Sequence, residues 1–178
     1  MLWVLLAMTV VQVYDNVTGK GLPPKKATPA AVASPTVAPD SLVARLADLQ
    51  GCVAADPTNL KCNLDLADVY YQAHQWPQAQ VNFERAVRIA PNNAAVLVKL
   101  AGTYIYQEKF AQAIPTLQKA VGVSPDAPEI HLLLGLSYSK VSPPHTDEAL
   151  AEWRRVITLD PTSAWATQAQ QYINEINK

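Results

Sequence analysis

The sequence predicts an all-α fold, a stack of antiparallel helix pairs, and three observations carry that prediction. Pro57, Pro91 and Pro125 stand 34 residues apart, and Pro161 follows after 36. Aligned on those prolines, small and large apolar residues fall into shared columns in every segment. Ahead of the first proline, Leu42, Leu46, Leu49 and Val53 recur at helical spacing. A self-similarity of about 34 residues marks a helix-turn-helix array, in which one hairpin cannot bury its apolar face until the next is stacked on it.

Met1 to Tyr14 hold twelve apolar residues out of fourteen. That is short of the roughly 20 residues of an ordinary membrane span. The segment (1–14) lacks a basic n-region and an A-x-A cleavage site, so it is read as an apolar anchor or signal-like segment, with a buried N-terminal element as the alternative. Residues 15–40 form a Pro/Ala-rich linker: Pro23, Pro24, Pro29, Pro35 and Pro39 fix φ and remove donors, favouring an extended spacer. Asn16-Val17-Thr18 matches a glycosylation acceptor, a motif short enough to arise by chance.

The repeat domain is placed at 41–178. A leading helix, 41–56, corresponds to the second helix of a degenerate repeat. Three repeats follow at 60–93, 94–127 and 128–163. Ala67, Ala101 and Gly135 share one column and Ala79, Ala113 and Ala149 another, small residues that let paired helices approach closely. Leu66, Leu100 and Leu134, then Tyr70, Tyr104 and Tyr138, then Phe83, Leu117 and Trp153 supply the bulk between hairpins. Ala86, Ala120 and Val156 form a sixth column, and Ile89, Val123 and Leu159 a seventh. Pro77 suits a helix start, Thr146 is expected to cap the second helix of repeat three, and Asp126 with Glu129 reads as a capping box. Pro115 is tolerable where its helix starts near Ala111, so that the ring falls in about the first turn. A closing helix at 163–176 mixes Trp165, Tyr172 and Ile176 with Gln and Asn, as a solvating cap should.

These columns resemble the tetratricopeptide repeat, with its small-residue, Tyr, Ala, Phe, Ala and Pro positions, over about 100 residues. The family's early Trp is replaced by Asn63, Leu97 and His131, and repeat three carries two extra residues around Ser142-Pro143-Pro144-His145. The resemblance implies a right-handed superhelix that binds a polypeptide on the inner face of its first helices. Carried over position by position, that groove comprises Lys61, Leu64, Asp68 and Tyr71; Ala95, Val98, Gly102 and Ile105; Glu129, Leu132, Leu136 and Ser139; and Trp165, Gln168 and Tyr172. The subset of the family that clamps acidic chaperone tails needs Lys and Asn where this chain has Leu64 and Asp68. An apolar helix or extended segment is therefore expected in place of an acidic tail. Occupation of the groove by the chain's own N-terminal segment, or by a second copy in a homo-oligomer, stays open.

The charge balance, 14 Lys and Arg against 15 Asp and Glu, supplies no field for a polyanion, so nucleic acid is not an expected partner. Cys52 and Cys62, ten residues apart, lack the clustering of a zinc or redox motif. Five residues either side of a turn at Pro57, they can face each other as a disulfide or sit as two small buried thiols. His74, His131 and His145 fall in different places, and no phosphate loop or nucleophile elbow is present, so no catalytic residue, cofactor or metal is expected. An apolar head, a Pro-rich spacer and a repeat module together resemble the modules of cytochrome c maturation and cell-envelope assembly factors. That implies a bacterial, membrane-anchored or exported protein with its repeats outside the cytoplasm. Lys20, Lys25 and Lys26 after the apolar segment favour the cytoplasmic side instead.

Overall fold

The computed structural model describes residues 39–176, with side chains from residue 44 onward. The apolar segment, nearly all of the linker and Asn16 lie outside them. Eight helices and no strands occupy the described residues: α1 (Pro39–Ala55), α2 (Leu60–Gln72), α3 (Trp76–Ile89), α4 (Ala94–Tyr106), α5 (Phe110–Val123), α6 (Pro128–Lys140), α7 (Thr146–Leu159) and α8 (Ala164–Ile176). Helix α1 starts two residues before the expected boundary. First helices of the repeats are 13 residues long and second helices 14, an alternation kept through all three pairs. Each helix packs mainly on its two neighbours in sequence, the arrangement of a repeat solenoid.

The small columns meet where hairpin partners cross. Ala67, Ala101, Ala79, Ala113 and Ala149 are all fully buried, and the large column Phe83, Leu117 and Trp153 is buried beside them. Burying each of those large side chains contributes about 1.5–3 kcal/mol. Gly135 stands in the first column because Trp153 is the bulkiest member of the other: a Cβ at 135 would meet Trp153 Nε1 at 2.5 Å. The seventh column does not join the core as its alignment suggested. Ile89 and Leu159 are only half-buried, and Val123 is 40% exposed at the end of α5.

Successive hairpins are pinned by a bond that recurs with the repeat. Gln50 Nε2 donates to Tyr70 Oη, Tyr104 Oη to Glu84 Oε1, and Gln118 Nε2 to Tyr138 Oη, at 2.8, 2.9 and 2.8 Å, each across 20 residues. Gln50 fills the same place as Glu84 and Gln118, so α1 bonds to α2 as the second helices α3 and α5 bond to the first helices that follow them. Burial, then the Glu84 carboxylate, push the Tyr104 hydroxyl pKa upward.

Helix starts differ in part from the sequence reading. Asn59, Asn93 and Ser163 cap α2, α4 and α8, accepting from the amides of Cys62, Val96 and Ala166. The third repeat lacks such a cap: Ala127 holds the N-cap of α6, and Asp126 turns to Arg155 at 3.0 Å instead of forming a capping box with Glu129. Thr146 is the first residue of α7, after an N-cap at His145, so it does not cap that helix. Pro115 lies in the second turn of α5, which begins at Phe110. Its missing N–H leaves the Ala111 carbonyl without its helical donor, at a place where both residues are exposed. Pro77 sits at the start of α3, as expected. The two extra residues of repeat three lengthen the α6–α7 turn, which contains a cis Ser142-Pro143 bond.

Candidate partner-binding face

The predicted groove residues do not form one open wall. On α4, Val98 and Ile105 are 9% and 3% exposed, and Gly102 is buried between them. On α6, Leu132 and Leu136 are 0% and 3% exposed. The expectation of an exposed apolar surface at these residues is corrected: they are core. The cause is tertiary, because α4 touches α6 and α6 touches α8 across the inner side, so these first helices are covered by more than their hairpin partners. Trp165 and Tyr172 are half-buried, and Tyr172 stacks on Trp153 with ring centroids 5.0 Å apart. Burial pushes the Tyr172 hydroxyl pKa upward, with the Glu175 charge adding to it.

The face stays accessible at the α2–α4 junction. Leu64, Asp68 and Tyr71 are partly exposed, and Lys61 is exposed beside Asp65, its ion-pair partner. Lys99 Nζ reaches both carboxylate oxygens of Asp68, at 2.7 and 2.6 Å, tying α4 to α2. Tyr71 meets Trp76, Phe83 and Tyr106 edge-on, and Trp76 stacks flat on Tyr106 at 4.5 Å. The sequence pattern did not single out Lys99, Trp76 or Tyr106. The surviving strip is therefore an aliphatic side chain, a neutralised ion pair and an aromatic cluster in a row. Ala95 is exposed, Glu129, Ser139 and Gln168 are partly exposed, and Ser139 Oγ is turned back to the Leu136 carbonyl at 2.8 Å.

Cys52 and Cys62 form a disulfide between α1 and α2, with Cα atoms 6.1 Å apart. The histidines stay apart. His74 lies in the α2–α3 turn with φ of 57°, and His145 precedes α7 beside Glu148. His131 is buried in α6 between Glu152 and the Pro125 carbonyl. Among the described residues no group of three or more His, Cys, Asp or Glu could hold a metal ion. No described helix is long and apolar enough to cross a membrane.

This geometry defines a helical-repeat module whose distinctive surface is a face made by first helices. The tetratricopeptide repeat family model matches residues 72–137, so the chain carries tetratricopeptide repeats there. Comparison with curated proteins finds no match. Solved structures share the fold. A crystal structure of MamA is 19% identical, covering 75% of this chain and 77% of that one, with a TM-score of 0.64. The tetratricopeptide domain of Arabidopsis OM64 is 20% identical, covering 65% and 94%, with a TM-score of 0.59. The first such domain of Spaghetti (RPAP3), bound to the HSP90 peptide SRMEEVD, is 19% identical, covering 68% and 94%, with a TM-score of 0.60.

Proposed function

We propose that this protein is a non-catalytic interaction scaffold that holds a polypeptide segment against the α2–α4 strip. The observation that carries the proposal is the partial exposure of Leu64, Asp68 and Tyr71, whereas the matching residues Val98, Gly102 and Ile105 on α4 and Leu132 and Leu136 on α6 are buried. The ligand of the RPAP3 domain carries the acidic end MEEVD. Here Asp68 is already neutralised by Lys99, and Leu64 offers an aliphatic contact, so a segment presenting an apolar side chain flanked by polar backbone fits better than an acidic tail. The apolar N-terminal segment tethers the scaffold to a membrane, and the repeats lie outside the cytoplasm. The Cys52–Cys62 disulfide supports that placement, because such bonds persist in oxidising compartments.

Photocrosslinking tests the strip. A benzophenone side chain at position 64 or 71 of the full chain, expressed in its own cells, is expected to give polypeptide adducts, whereas one at Val81 on α3 gives none. Lys99→Glu, which sets a second carboxylate beside Asp68, is expected to abolish the adducts while helical content persists. Adducts of equal yield from Val81, or none from 64 and 71, would remove the strip as the site. Adducts joining two copies of the chain would assign it to self-assembly.

A further inference from the structure

Helix α1 is attached differently from every helix that follows it. Among its described side chains only Val53 is buried, with Leu46 and Leu49 half-buried and Arg45, Asp48 and Gly51 exposed. Each later helix buries three or more residues. Val53 and the α2 residues Leu66 and Val69 also stand outside the two continuous cores that join the other hairpins. Beyond this thin apolar contact, α1 is held by the Gln50–Tyr70 hydrogen bond and the Cys52–Cys62 disulfide. Over residues 44–55 the helix has little packing to hold it, and most helical stability in proteins comes from burying a face.

We infer that the Cys52–Cys62 disulfide is a redox lock on α1: a dithiol that reduces it releases α1 from α2 while α3 to α8 stay folded. Both cysteines are partly exposed, so an attacking thiolate can reach a sulfur. That thiolate bonds to one cysteine sulfur, the S–S bond breaks, and the other cysteine leaves as a thiolate and takes up a proton. The second thiol of the reductant then displaces the first cysteine, which leaves and is protonated in turn. Cys52 and Cys62 end as thiols, having gained two electrons and two protons, and the dithiol ends as its own disulfide. Release uncovers Leu66, Val69 and Tyr70, the α2 counterparts of the α4 and α6 residues on which a second helix rests. The lock therefore governs whether the leading edge of the solenoid is covered.

Hydrogen exchange on the full chain tests this, with and without dithiothreitol. Amide protection over residues 44–55 is expected to fall about tenfold or more on reduction, with α3 to α8 unchanged and protection restored by reoxidation. A Cys52→Ser/Cys62→Ser double variant should show the same pattern without reductant. Equal protection of 44–55 in the oxidised protein, the reduced protein and the double variant would overturn the lock. Loss of protection across α3 to α8 would also overturn it, since the bond would then be holding the whole fold.

Discussion

His131 occupies the position where the repeat family carries its early Trp, and its two ring nitrogens face two acceptors. Nδ1 lies 2.6 Å from Glu152 Oε2 and Nε2 2.8 Å from the Pro125 carbonyl. Both contacts are favourable only when the ring carries both protons. Hydrogen bonding to Glu152 raises the His131 pKa; burial opposes the rise, the Pro125 carbonyl and the Glu152 charge add to it, and Arg155 lowers it. A pKa raised above the unfolded value near 6.5 stabilises the fold fully below that value, and the contribution is lost as pH climbs through the folded pKa. Asn63 fills the same place in repeat one, its Nδ2 donating to the Pro57 carbonyl at 3.1 Å, so His131→Asn keeps the tie to the turn and loses the charge. That substitution is expected to cost about 1.5–3 kcal/mol at pH 6 and less at pH 9, read by urea unfolding at both. An equal cost at both pH values would show that the imidazolium does not contribute.

Helices show where local chemistry and repeat register disagree. The N-cap column reads Asn59, Asn93, Ala127 and Ser163, so α6 alone among these first helices starts without a side-chain acceptor. Pro128 and Glu129 in its first turn compensate in part, through preset φ and the helix dipole. Ala127 has the extended backbone of an N-cap, with φ −88° and ψ 104°. Ala127→Ser is therefore expected to stabilise the protein by about 0.5–1 kcal/mol, measured as a higher urea midpoint at unchanged slope. A lower midpoint would mean that packing around Ala127 outweighs the cap. The turns follow the register more closely. His74 and Glu108, 34 residues apart, both adopt φ of 57° between first and second helix. That conformation escaped the sequence reading because neither residue is the glycine that would advertise it.

At the scale of the whole molecule, the inner side is both a face and a seam. A first helix presents the same residue positions in every repeat, yet Leu64 is partly exposed, Val98 9% and Leu132 0% exposed. Burial deepens toward the C-terminus because α6 meets α8 directly, whereas α2 reaches α4 through the Asp68–Lys99 pair and the Tyr71–Tyr106 contact. Leu136→Glu is thus a core lesion. It is expected to cost about 4 kcal/mol and to lower Tm by roughly 10 °C, because a carboxylate is placed among apolar side chains without a partner. Circular dichroism melting decides the point, and an unchanged Tm would return Leu136 to the binding surface.

The helices, their pairing and their order were legible in the sequence, because a 34-residue period forces the same local contacts to recur; the turn at Pro57 allowed a Cys52–Cys62 bridge without choosing it over two buried thiols. The small and aromatic columns could be read without coordinates, since packing within a hairpin depends on residues at fixed spacing. Which inner residues are covered was settled only by the tertiary structure. Val98, Ile105, Leu132 and Leu136 occupy positions that a single repeat leaves open, and they are buried by the approach of helices about 30 residues away in the chain. The pairing of Lys99 with Asp68, and the enclosure of His131 by Glu152, likewise required the stack, because charges brought together across different helices leave no periodic trace.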